Sequence, residues 1–282
     1  MGSMTCEVMA GARGGPYAPG MDATSVGVGP LLREWREQRR LSQLDLATAA
    51  EVSTRHLSFV ETGRSKPSPE LVLHLADHLE VPLRSRNQLL LAAGYAPVFR
   101  ERPLDDPEMG PVAAVLDSVL ERSDPNPTVV VDRAWNLVRA NAPVLWLCSG
   151  VDPALLAPPA NVVRLSIDPR GLAPAIRNFD EYAAHLLHRV RSDAAISRDP
   201  ELVALADEVA EVVGDVAVPS PLEQPAFALP LRVEVDGHDL ALFSTIATFG
   251  TAREVSLSEL SIETFYPADD ATAAVLADRP WT

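Results

Sequence analysis

The sequence predicts two folded parts of different class, a small all-α unit followed by an α+β unit built on a five-stranded antiparallel sheet. Three observations carry this. Between residues 29 and 95, apolar residues recur at helical spacing in short stretches bounded by Ser, Pro and Gly. Residues 99–110, FRERPLDDPEMG, have the proline and charge of a linker. Beyond them, β-rich runs flank a helical middle.

Residues 1–28 are rich in Gly, Ala and Pro and lack the apolar core of a signal peptide, so they read as a disordered arm. Pro30 to Arg40 is amphipathic through Leu31, Leu32 and Trp35. Ser42 is placed to cap the next helix, whose apolar stripe is Leu44, Ala47 and Ala50. Ser53 supplies a second cap, Leu57 and Val60 point inward, and Thr54, Arg55, Ser58 and Phe59 are left on the outer side. Two short helices joined so tightly, with polar and basic residues outside, describe a helix-turn-helix whose second helix is free to enter a major groove. Pro69 at N1 after Ser68 opens a fourth helix through Leu71, Val72, Leu75 and Leu79, and a fifth runs from Pro82 to Ala93, stopped by Gly94.

In the second part PTVVVD and AWNLVRA form a hairpin about Asp132 and Arg133. Helices follow at Asn141–Leu147, Ala173–Arg191 and Pro200–Val213. The chain then returns to strands with FALPLRVEV, DLALFSTIATF and LSIETFYP, the first two joined through Asp236, Gly237 and His238, and a last helix starts at Asp270. Five strands with helices inserted between the second and third describe a PAS-like sheet, a fold that commonly encloses a ligand between sheet and helices.

Five blocks in order then invite comparison with a known family: LSQ at 41–43, HLSFVETGRSKPS at 56–68, VPLRSRNQLLLAAGYAP at 81–97, NPTVVVDRAWNLVRAN at 126–141 and TFGTAREVSLSELSIETFYPAD at 248–269. The chain resembles the MmyB-like branch of the Xre-type (lambda-repressor-like) helix-turn-helix transcription regulators. The resemblance implies an arm (1–28), a DNA-binding domain (29–98), a linker (99–110) and a PAS-like ligand-binding domain (111–282) that takes an apolar small molecule such as a fatty acyl chain. One departure is Glu51 at the turn position where such motifs usually carry Gly; positive φ there costs on the order of 1 kcal/mol.

Charge is divided unevenly. The chain carries −15 overall, but residues 29–102 hold eleven basic and nine acidic side chains, a net of +2, whereas residues 103–282 stand at −16. So weakly positive a domain binds phosphate poorly as one copy, and we expect a homodimer on paired half-sites of double-stranded DNA. Thr54, Arg55, Ser58 and Phe59 are the expected base contacts, Arg55 by pairing bidentately with guanine. Phe59 either touches a thymine methyl or packs beneath the following loop. Gln43, Ser53, His56, Arg64 and Lys66 are the expected phosphate contacts, which fix register without reading sequence; His56 serves equally well as a solvated side chain.

For the ligand site the expectation is Trp135, Trp146, Phe179, Phe243, Phe249 and Phe265 as apolar walls, with Asn141, Arg177, Asn178 and His185 near a polar head group. Arg177, at the apolar helix start PAIRNF, is satisfied either by a carboxylate ligand or by Asp180 or Glu181. The competing reading of this part is a ligand-free dimerisation or protein-interaction module. No catalytic motif, phosphate loop or cofactor fingerprint occurs, and Glu181, His185 and His188 lack the partner a zinc site needs, so we expect neither enzyme, cofactor nor metal. Two cysteines, Cys6 and Cys148, fit a reducing compartment, and no run approaches 18 apolar residues. A cytoplasmic, nucleoid-associated protein is expected.

Overall fold

The structure, a computed structural model, describes residues 27–197, 199–214 and 230–281. The arm expected at 1–28 lies outside these except for its last two residues, as do the expected strand positions Phe227 to Leu229. The chain divides into two compact units.

The described residues of the first unit form helices α1 (Val28–Gln38), α2 (Gln43–Ala49), α3 (Thr54–Glu61), α4 (Pro69–His78) and α5 (Leu83–Ala92). The helix starts follow the side-chain oxygens that the sequence offers. Ser42 accepts from Asp45 N while Asp45 accepts from Ser42 N, a reciprocal capping box; Ser53 accepts from His56 N, and Ser68 from Leu71 N with Pro69 at N1. The core joins Leu32, Trp35, Leu46, Leu57, Leu75 and Leu90. One expected core position is corrected: Leu44 is 63% exposed, and Leu46 takes its place beside Ala47 and Ala50. Leu46 and Ala50 stand four apart, so this stripe follows the helical period more closely than the run of threes. The turn between α2 and α3 places Glu51 at φ 52°, the left-handed conformation in which the motif usually carries Gly.

Gly29 has no room for a side chain. A Cβ there would stand 2.4 Å from the Val60 carbonyl oxygen and 2.6 Å from that of Glu61, so α1 and α3 meet backbone to backbone. Gly29→Ala is expected to push the helices apart at about 1–3 kcal/mol, read as faster amide exchange in α1 and α3. Exchange matching the parent protein would show that the contact yields freely.

The second unit contains α6 (Gly110–Ser123), β1 (Thr128–Val131), β2 (Leu137–Ala140), α7 (Ala142–Leu147), α8 (Val162–Ile167), α9 (Phe179–Ser197), α10 (Pro200–Val213), β3 (Leu231–Val235) and β4 (His238–Thr248), and ends with β5 (Ser261–Pro267) and α12 (Asp270–Ala277). A one-turn helix between the last two strands, α11 (Val255–Ser258), lies in the segment Thr251–Ser258 that belongs to the first unit. There Val255 is fully buried, its N–H donates to the Arg100 carbonyl at 2.8 Å, and Arg102 bonds Glu254 at 2.6 Å. Residues at the head of the expected linker are likewise held, because the Asn87 side chain of α5 bonds the backbone of Val98 and Phe99.

The strands form one antiparallel sheet in the order β2-β1-β5-β4-β3, a PAS-like α+β arrangement. Asp236 (φ 51°) and Gly237 (φ 78°) turn β3 into β4 with both central residues at positive φ, the twist-matched hairpin that an Asp-Gly pair favours. The first hairpin is wider than expected. The Asp132 carboxylate gathers the N–H groups of Ala134 and Asn136, Trp135 adopts φ 66°, and β2 begins only at Leu137. The helix expected from Ala173 also starts late. Ala173–Ala175 makes one 3-10 turn, Ile176 then bridges to Val233 and Arg177 N donates to the Arg232 carbonyl at 2.7 Å, so the helix is interrupted beside β3 until α9 opens at Phe179. Helices α9 and α10 pack on each other and cover the sheet through Tyr182, Leu186, Val190, Leu205 and Val209.

Candidate DNA-contacting face and ligand cavity

Helix α3 has only eight residues, too few to stand alone, and a buried ion pair fixes it. Arg36 of α1 donates to both carboxylate oxygens of Glu61, Nε to Oε1 at 2.7 Å and Nη2 to Oε2 at 2.9 Å, and its Nη1 donates to the Leu41 carbonyl at 2.7 Å. The two side chains retain 8% and 1% of their exposure, so the pair is nearly dry. Gln43 of α2 completes it with a bond to Glu61 Oε2 at 2.7 Å. The three elements of the motif are therefore tied at one point, and sequence reading missed it. Arg36 and Glu61 stand 25 positions apart, and nothing local couples them.

On the opposite side Arg55 is exposed, its guanidinium 5.3 Å from the Phe59 ring, and Thr54, Ser58 and Phe59 are half-buried on the same helix. Ser53 and His56 sit exposed at the start of α3, Ser53 as its cap. Arg64 and Lys66 are exposed in the loop after it, the Lys66 ammonium 4.7 Å from the ring of Tyr95, whose hydroxyl donates to the Pro67 carbonyl. Gln43, expected on phosphate, spends its amide N–H on Glu61.

In the second unit a cavity of about 90 Å³ opens between the sheet, α7, α8 and α9. Its walls are apolar: Val129 and Phe265 from the sheet, Val144 from α7 and Cys148 just after it, Leu165 from α8, Leu186 from α9. Burial pushes the Cys148 thiol up to about 11, so it meets the cavity as an uncharged, unreactive group. Set in this lining is a charged pair. Glu263, in the middle of β5, keeps 5% of its side-chain exposure and binds Arg189 of α9, Nη1 to Oε1 at 2.8 Å and Nη2 to Oε2 at 3.3 Å. Arg189 lies 4.5 Å over the Trp135 ring, whose Nε1 donates to Asp193 at 3.1 Å. Tyr182 lines the cavity one turn before Leu186, its hydroxyl pushed above its ordinary range by burial and then by the Glu263 charge.

Of the ten residues expected around a ligand, Trp135 and Phe265 line the cavity. Asn141 is buried elsewhere, accepting from Thr128 N at 2.8 Å and donating to Asp124 and Asn126. Trp146 meets Trp281 in a tilted ring contact, carries Arg279 on its face and donates to Asp236. Arg177 is held outside by Glu234 and Asp239, each at 3.0 Å, and by neither of its two expected partners, because the bridge of Ile176 to Val233 sets it beside the β3–β4 hairpin. Asn178 pins the same edge through Pro230 and Arg232. Phe243 stacks on Tyr266, Phe249 is half-buried just past β4, and His185 sits half-buried on α9 with its ring held below the usual imidazole range by burial and by Arg189. Missed in the sequence were Tyr182, Arg189 and Glu263. A lone Glu inside the apolar run LSIETFYP, and an Arg seven residues after Tyr182, were the available signs.

Comparison with known families now bears on both sites. A family model for a helix-turn-helix domain matches residues 28–89, and one for the MmyB-like transcription regulator ligand binding domain matches residues 112–278. The chain belongs to the MmyB-like transcription regulators. This MmyB-like protein is thus a DNA-binding transcription regulator with a ligand-binding domain. No curated protein matches it. Among the described residues, no His, Cys, Asp and Glu side chains are grouped to hold a metal, and no helix is long and apolar enough to cross a membrane.

Proposed function

We propose that this MmyB-like protein is a one-component sensor, acting in the cytoplasm at the nucleoid as a homodimer on paired half-sites of double-stranded DNA, and switched by an apolar, fatty-acid-like small molecule. The observation that carries the reading is an apolar cavity lying within the segment matched by the ligand-binding family. Its size bears on the ligand. An engineered apolar cavity of about 150 Å³ takes benzene, so about 90 Å³ seats a short segment, and a long chain requires the six-residue helices α7 and α8 to give way. That small volume is also the best support for the competing reading, a ligand-free dimerisation or interaction module. Mass spectrometry of molecules extracted from the purified full-length protein decides between them. A stoichiometric apolar compound supports the sensor, and empty protein that no apolar compound stabilises supports the module.

For DNA the proposed base contacts are Thr54, Arg55, Ser58 and Phe59, and the proposed phosphate contacts include Ser53, His56, Arg64 and Lys66. Arg55→Ala is expected to lose about 1–3 kcal/mol of discrimination at one base pair. Arg64→Ala is expected to weaken all sequences alike and reduce the salt slope by about one. Footprinting over a range of salt reads both. An unchanged preferred site in Arg55→Ala would remove α3 from base reading.

A further inference from the structure

The charged pair in the cavity bears on which ligands fit. Arg189 is the one cation in the lining among the described residues, and both arms of its guanidinium already point at Glu263. A free carboxylate entering beside Arg189 would bring a second negative charge against a buried carboxylate, where like charges are weakly screened. The other polar side chains of the lining differ in what they have left to give. Asn161 is used, donating to the Ala134 carbonyl and accepting from the N–H groups of Val163 and Arg164, and Ser166 donates to the Val162 carbonyl. Tyr182 lines the cavity and its hydroxyl makes no hydrogen bond among the described residues, and Glu263 has acceptor capacity beyond its two bonds to Arg189.

Resting on the sensor reading above, and narrowing its fatty-acid-like ligand to uncharged derivatives, we infer that the cavity selects an apolar ligand with an uncharged hydrogen-bonding head, an alcohol, ketone, ester or amide, and rejects the free carboxylate of the same skeleton. Tyr182 donates to a carbonyl or accepts from a hydroxyl, and Glu263 accepts an O–H or N–H. The Arg189–Glu263 pair acts as a neutral polar floor on which the head rests.

The test is a matched series on the full-length protein by titration calorimetry at pH 7.5: octan-1-ol, methyl octanoate, octanamide, sodium octanoate and octane, with the six-carbon analogues as a second set. Expected is at least tenfold tighter binding of a neutral-headed member than of the carboxylate. Tyr182→Phe should weaken the alcohol or ester about five- to tenfold and leave the hydrocarbon unchanged. That internal control separates loss of the head-group contact from misfolding. Tightest binding by octanoate, or a Tyr182→Phe protein that binds alcohol as the parent does, overturns the inference while leaving a ligand-sensing cavity intact. Failure of every member of both sets to bind overturns the inference and the sensor reading together.

Discussion

Glu61→Ala is expected to destabilise the helix-turn-helix unit by about 3–5 kcal/mol, because it leaves the buried Arg36 guanidinium with only the half-exposed Glu37 carboxylate, 3.8 Å away, as counter-charge. The pair is well made, bidentate and nearly dry, with Gln43 sharing Oε2, so little water is at hand to replace the lost carboxylate. Hydrogen exchange of the α3 amides in the full-length protein reads the loss where it occurs. DNA affinity should fall for every sequence, since α3 loses its fixed position before any base contact is touched. The double variant Arg36→Met with Glu61→Leu removes both charges and should recover most of the stability, although not the bond to Gln43. Protection of α3 in Glu61→Ala within about 1 kcal/mol of the parent would mean that Arg36 finds water or another partner and that the pair is not what holds the helix.

Arg189→Met is expected to have a similar effect in the second unit, about 3–5 kcal/mol, by leaving Glu263 alone in the centre of the sheet. The contact of Arg189 with the Trp135 face is lost as well, worth about 0.5–2 kcal/mol. The compensating change is Glu263→Leu in the same protein, which exchanges a buried ion pair for apolar packing and should restore the β5 amides to within about 1–2 kcal/mol of the parent. A double variant no more stable than Arg189→Met alone would show that the guanidinium acts through its packing on Trp135, not through its charge.

The legible parts of this protein were those governed by local chemistry. Ser42, Ser53 and Ser68 start helices in the structure as their side-chain oxygens dictate, and Asp236–Gly237 makes the expected hairpin. The elements that went astray were decided across the chain. Leu44 was expected inside by its spacing, yet the neighbours of α2 cover Leu46 instead. Arg177 stood at what reads as a helix start, but pairing of Ile176 with Val233 drew the chain out beside β3 and turned the guanidinium to Glu234 and Asp239. The aromatics expected around a ligand divided in the same way: Trp146 and Phe243 found ring partners outside the cavity, and Trp135 reached it by adopting a positive φ that its own side chain does not favour.

By itself the sequence determined the helix-turn-helix, the five strands with helices inserted after the second, and the family, because periodicity, caps and turn residues act over a few positions and recur in fixed blocks. Only the tertiary structure decided which charges are buried together. Glu61 meets Arg36 from 25 residues away, and Glu263 meets Arg189 from 74. A carboxylate reads the same in a sequence whether it faces water or a guanidinium; burial removes the water, and the partner that replaces it is supplied by the fold.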